Sequence, residues 1–119
     1  MLRRVLLTLY GNDIAPRFDL ATEVMIVTFG PQGGREEEKT VVLPRPSAEA
    51  LCHMIVTEGI HVVVCGGIEE EYLKYLAWKK ISVLHSVLGP SETVLARYEQ
   101  GRLRSGDILF SKRKMSDGQ

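Results

Sequence analysis

The sequence predicts an α/β fold built on a mixed, five-stranded sheet with three helices, and three observations carry that expectation. The first third of the chain runs apolar at strand spacing between turn signals. After Pro46 the apolar period changes to that of a helix, and the all-apolar run His61-Val62-Val63-Val64-Cys65 then sits between two helical patterns, where a buried parallel strand belongs. With 119 residues, 45% apolar and 25% charged, the chain is sized for one compact domain.

Arg3 to Tyr10, rich in Leu and Val, reads as a strand that runs into a loop at Gly11-Asn12-Asp13. Thr22 to Phe29 is apolar on both faces, Val24 and Ile26 against Met25, Val27 and Phe29, as a central strand is. Gly30-Pro31-Gln32-Gly33-Gly34 is turn chemistry. Lys39 to Leu43 forms a third strand, and its acidic lead-in Glu36-Glu37-Glu38 suits an edge, because charge discourages pairing with other chains. Ala48, Leu51, Cys52 and Ile55 recur at helical spacing, with Ser47 as N-cap and Gly59 as stop, so the first helix covers Ala48 to Glu58. A fourth strand occupies 61 to 65. Glu69 to Lys80 carries acids in its first turn and Lys79-Lys80 at its end, which suits a helix dipole. Ile81 to His85 is a fifth strand, and Gly89-Pro90-Ser91 opens a third helix with Val94, Leu95 and Tyr98 that closes at Gly101. The element order is βββαβαβα. Right-handed crossovers then set the expected strand order, counted along the chain, as 3-2-1-4-5. The domain is expected over residues 1–103. Residues 104–119 are expected as a flexible polar tail, since 102–119 hold five basic and two acidic groups and no periodic apolar face.

Charge and composition exclude several functions. Fifteen basic side chains balance fifteen acidic ones, so no global field draws the chain to nucleic acid or a membrane surface. The longest apolar stretches fall far short of the ~20 residues that span a bilayer. Arg3 and Arg4 before an apolar run imitate a signal peptide, but no small-residue cleavage site follows, and a cytoplasmic protein is expected. Cys52 and Cys65, thirteen positions apart, fit neither a disulfide framework nor paired zinc spacing. The order βββαβαβα is that of the ribonuclease H-like fold, whose nucleases hold two metal ions on acidic side chains, one from the first strand. Here that strand is RRVLLTLY, without a carboxylate, so a nuclease is excluded. No phosphate-binding loop with its lysine is present.

Ligands of such sheets sit beyond the carboxyl ends of the parallel strands. The walls of that crevice are Tyr10 to Phe18, Cys65-Gly66-Gly67 and His85 to Gly89. Gly66-Gly67 before a helix either faces backbone N–H groups to an anion or simply turns a tight corner. Cys52 falls on the apolar stripe of its helix and is core filler, His53 points off that stripe, and His61 begins its strand away from the crevice. Cys65 and His85 both close parallel strands there, and thiolate with imidazole suits soft metals and sulfide clusters. The loop Gly11 to Asp19 has two readings. In one it is a rigid crossover in which Ile14 and Phe18 plug the sheet end, Pro16 fixes the path and Asp19 caps or pairs with Arg17; in the other Arg17 stands at the crevice rim as an anion-recognising fork.

Three blocks carry a resemblance: Gly11-Asn12-Asp13-Ile14-Ala15-Pro16-Arg17-Phe18-Asp19-Leu20-Ala21, then Gly59-Ile60-His61-Val62-Val63-Val64-Cys65-Gly66-Gly67-Ile68, then Tyr98-Glu99-Gln100-Gly101-Arg102-Leu103. In this order they resemble the dinitrogenase iron-molybdenum cofactor biosynthesis family, the NifX/NifB-type domain, over about residues 3–103. The resemblance implies a ribonuclease H-like fold without nuclease activity and binding or carrying of a metal–sulfur cluster, and the expected function is a non-enzymatic carrier of an anionic Mo/Fe or Mo/Cu sulfide, with the cluster or its assembly proteins as partners. On that basis Asn12, Arg17, Phe18, Cys65, Gly66 and Gly67 are expected to contact the cofactor, with Cys65 and His85 as metal ligands. Many members of the family carry His where this chain has Arg17. Arg17 cannot replace that His as a ligand and is expected instead to pair with anionic sulfides. The alternative is a protein-interaction or regulatory module that has kept the fold and lost the cluster.

Overall fold

A computed structural model describes residues 2–110. Its strands are β1 (Arg3–Tyr10), β2 (Asp13–Ile14), β3 (Glu23–Phe29), β4 (Arg35–Val42), β5 (Val62–Val64) and β6 (Ser82–Leu84). The helices are α1 (Ala48–Thr57), α2 (Glu70–Trp78) and α3 (Ser91–Glu99), and a short 3-10 helix covers Phe18–Leu20. Along the sheet the strands run β4-β3-β1-β5-β6, with β2 paired to β1 off this path. β3 lies antiparallel to β1 and to β4, while β5 runs parallel to β1 and to β6.

The period of two along β1 sorts the core into two layers. Leu6 joins Val24, Ile26, Val63 and Cys65 under α1 and α2, where Leu51, Cys52, Ile55 and Leu76 meet them. Val5, Leu7 and Leu9 face the other way with Met25, Val27, Val62 and Val64 and pack against Val94 and Leu95 of α3. Ser47 caps α1 by accepting the Ala50 N–H at 3.0 Å, a contact worth about 1 kcal/mol. Arg35 ties edge strand β4 to α3, reaching Glu99 at 2.7 Å and Glu92 at 3.2 Å beside Glu38 at 3.1 Å. The hydrogen bond to Glu99 is the main cause that raises the Arg35 pKa, and the same contact lowers that of the Glu99 carboxyl.

Three features differ from the sequence reading. Strand β2, two residues long, carries no pattern of its own and forms by folding back on the end of β1. The acidic lead-in Glu36–Glu38 is itself part of β4, since an edge strand with wet side chains can hold charge on both faces. Third, residues 104–110 are docked rather than loose; the rest of the expected tail, 111–119, lies outside the described residues. The Leu88 N–H donates to the Asp107 carbonyl at 3.0 Å, and the Leu109 N–H returns a bond to Leu88 at 2.8 Å. The Gly106 N–H bonds the His85 carbonyl, and the His85 N–H reaches Ser105 Oγ. Leu109 packs on the α3-side core. A strap held by backbone pairing needs no side-chain period, which is why the sequence shows none.

Ending the chain at Leu103 is therefore expected to lower stability by about 1–3 kcal/mol relative to a chain that ends at Phe110. Urea unfolding compares the two; coincident midpoints would show that the strap adds nothing.

Candidate functional site

The carboxyl end of β1 is closed by the chain from Gly11 to Thr22, and nearly every turn of it is pinned by backbone bonds. The Ser91 N–H, at the start of α3, donates to the Asn12 carbonyl at 2.8 Å, the Ile14 N–H to the Gly89 carbonyl at 2.9 Å, and the Ala15 N–H to the Thr8 carbonyl at 2.9 Å. Then Gly67 meets Arg17 in an isolated parallel bridge: the Gly67 N–H donates to the Pro16 carbonyl and the Phe18 N–H to the Gly67 carbonyl, both at 2.8 Å. Downstream, the Leu43 N–H holds the Thr22 carbonyl at 2.7 Å.

This path leaves a recess of about 300 Å³ walled by Tyr10, Ala15, Pro16, Leu20 and Ala21, with Arg17 at its edge. The walls are mostly apolar, and the one charged lining residue is Arg17. Arg17 is 56% exposed and pairs with Asp19, Nε to Oδ1 at 3.1 Å and Nη2 to Oδ2 at 2.7 Å. Tyr10 and Leu20 stand 75% and 57% exposed beside it.

The other expected contacts fall elsewhere. Phe18 is a core residue, 1% exposed and 6.3 Å between ring centroids from Tyr72, so it plugs the sheet end rather than facing a ligand. Asn12 is exposed on its turn, with its carbonyl committed to Ser91. Cys65 is fully buried, because the alternation that turns Val63 toward α1 and α2 turns Cys65 the same way. Desolvation pushes its thiol up to about 12, and that of Cys52 to about 11, so both are neutral core groups. Cys65 is thus no rim ligand in this fold. Gly66 is buried against the loop: a Cβ there would strike the carbonyl oxygens of Ala15 and Pro16. Gly67 has its N–H engaged by Pro16. The glycine pair turns the corner and admits the loop, leaving the Gly67 N–H no free anion to meet. His85 is half-buried beneath the strap, with Nδ1 3.0 Å from Ser86 Oγ. Among the described residues no group of three or more His, Cys, Asp or Glu side chains stands close enough to hold a metal ion. A cluster coordinated by Cys65 and His85 does not fit these residues.

No protein-family profile matches the sequence, and no curated protein matches it. Solved structures do. The protein PH0822 superposes with a TM-score of 0.78 at 20% identity, over 86% of this chain and 93% of that one. A "putative dinitrogenase" (MJ0327) of Methanocaldococcus jannaschii matches with a TM-score of 0.70 at 21% identity, over 87% of this chain and 93% of its own. A "putative NifB protein" of Thermotoga (TM1290) gives 0.63 at 14%, over 87% and 92%. The chain shares their fold.

Sequence reasoning missed Leu20 and Thr22 as lining, for no period marks them: Leu20 ends the 3-10 turn and Thr22 follows it, and only the geometry of that turn brings them to Tyr10. It also missed a larger cavity of about 500 Å³ at the opposite end, bounded by Arg3, Phe29, Gly30, His61 and Tyr98. There His61 Nδ1 accepts the Arg4 N–H at 2.9 Å and Glu99 is bound to Arg35, while Arg3 makes no side-chain hydrogen bond among the described residues. The larger cavity also carries the Glu99 carboxylate, whereas Arg17 is the one charged residue lining the smaller recess and its Nη1 makes no hydrogen bond among the described residues.

Proposed function

We propose that the chain is a non-enzymatic cytoplasmic binding or carrier protein of the ribonuclease H-like, dinitrogenase cofactor type. Its cargo is an anionic metal–sulfur species, a Mo/Fe or Mo/Cu sulfide, handled in cofactor biosynthesis or delivery. The observation that carries this reading is the apolar recess with an exposed Arg17 guanidinium at its edge. A sulfide-faced anion presents polarizable, weakly hydrated surface, which apolar walls accept, and a permanently charged planar fork offsets its charge. The structural neighbours described as a "putative dinitrogenase" and a "putative NifB protein" support the same direction. Because both thiols are buried, the cargo is held without a bond from cysteine sulfur.

The test is anaerobic titration with tetrathiomolybdate, alone and with copper, followed in the visible spectrum. Arg17→Glu is expected to weaken binding by about tenfold or more, Arg17→Ala by less, and high salt to weaken binding to the unaltered chain. Cys65→Ala should leave affinity unchanged. Equal binding by Arg17→Glu and the unaltered chain would remove the recess from the mechanism. A second reading, a protein-interaction module that has lost the cargo, is favoured by the exposed side chains of Tyr10 and Leu20 on the same rim. Failure of the unaltered chain to bind any thiometallate, with Tyr10→Ala abolishing capture of an assembly protein, would select it.

A further inference from the structure

We infer that Asp19 is a built-in competitor of the anion at Arg17, a negative group that holds the recess's grip on its cargo low enough for release. The inference rests on the reading that an anionic metal–sulfur species occupies this recess.

Asp19 lies two residues beyond Arg17, inside the 3-10 helix Phe18–Leu20, and its carboxylate meets the guanidinium fork to fork, at 3.1 Å and 2.7 Å. That is the bidentate geometry in which an arginine takes a carboxylate, so one edge of the fork is filled by the chain itself. Nη1 makes no hydrogen bond among the described residues, so a ligand that pairs with Arg17 shares the guanidinium with the Asp19 carboxylate. The carboxylate therefore opposes the ligand whether it stays in place or is displaced.

The side-chain hydrogen bonds of Asp19 among the described residues go to Arg17 alone, and the 3-10 helix has no side-chain cap for it to supply. A pair this exposed adds little to stability. Structural need does not account for a negative charge at the one cation of the recess; control of anion affinity does. A carrier must give up its cargo, and a cation with no carboxylate beside it attracts a multiply charged anion more strongly, most of all at low salt.

The decisive variant is Asp19→Asn, which keeps an oxygen for the Arg17 Nε–H, removes the charge and gives up the acceptor for Nη2. With the full chain and tetrathiomolybdate under anaerobic conditions, Asp19→Asn is expected to bind about fivefold or more tightly than the unaltered chain at low ionic strength and to dissociate more slowly. The gain should shrink as salt is added, and the melting temperature should stay within about a degree or two. If Arg17→Glu weakens binding while Asp19→Asn binds equally or more weakly, the competitor role is overturned and the recess reading stands, with Asp19 acting only to orient the guanidinium. If neither the unaltered chain nor Asp19→Asn binds the probe, or if Arg17→Glu binds it unchanged, both fall.

Discussion

Gly66→Ala is expected to destabilise the protein by about 3 kcal/mol or more, although it adds a single methyl group. The added carbon would lie 2.7 Å from the Pro16 carbonyl carbon and closer still to the carbonyl oxygens of Ala15 and Pro16. Those are backbone atoms, and they cannot swing aside. Ala15 is held to β1 through Thr8 and Pro16 to Gly67, so relief requires the whole crossover to lift off the sheet. Backbone conformation is not the cause, since Gly66 is not among the glycines with positive φ. Gly67→Ala supplies the control: its Cβ would stand 3.5 Å from the Pro16 oxygen, an ordinary contact, and a cost below about 1 kcal/mol is expected. Urea unfolding of both variants decides the matter. Equal midpoints for the two would show that close approach of the loop is not what Gly66 provides.

The same corner shows what could and could not be read from residues alone. The glycine pair was legible as a sharp turn after a buried strand, but the choice between an anion cradle and a tight corner depended on what lay opposite it, and Pro16 is forty-nine residues away in sequence from Gly66's own chain neighbour Cys65. The end of a strand reads as open to the crevice, which sets the expectation of Cys65 at the rim, yet the residue lies in the core. Its alternation with Val63 already put it on the face that α1 and α2 cover. The Arg17–Asp19 pair was available from sequence as one of two readings, since the residues are two apart on a loop stiffened by Pro16. Residues 104–110 were not legible: of Ile108, Leu109 and Phe110, only Leu109 packs on the core, and the rest of the docking is backbone to backbone. Local pattern thus identified the long strands and helices, while the placement of the candidate site was set by long-range backbone pairing that no local period encodes.

Phe18→Ala is the counterpart of the Gly66 variant, acting on the same loop from its other side. The ring is 1% exposed and packs in the core beneath α1 and α2, tilted 36° against Tyr72. Removing it deletes a large buried apolar group and leaves a cavity, with an expected cost of about 3–5 kcal/mol. Phe18→Leu fills much of that space and should cost under about 1.5 kcal/mol. The consequence for function follows from adjacency: Arg17 and Asp19 flank the ring on either side in the chain, so the ring fixes where both charges stand. Phe18→Ala is expected to lose thiometallate affinity together with stability, whereas Arg17→Glu loses affinity at nearly unchanged melting temperature. Paired denaturation and titration of Phe18→Ala, Phe18→Leu and Arg17→Glu measures this. A Phe18→Ala protein that unfolds at the unaltered midpoint would show that the loop is anchored by its backbone bonds at Gly67 and β1 rather than by its aromatic plug.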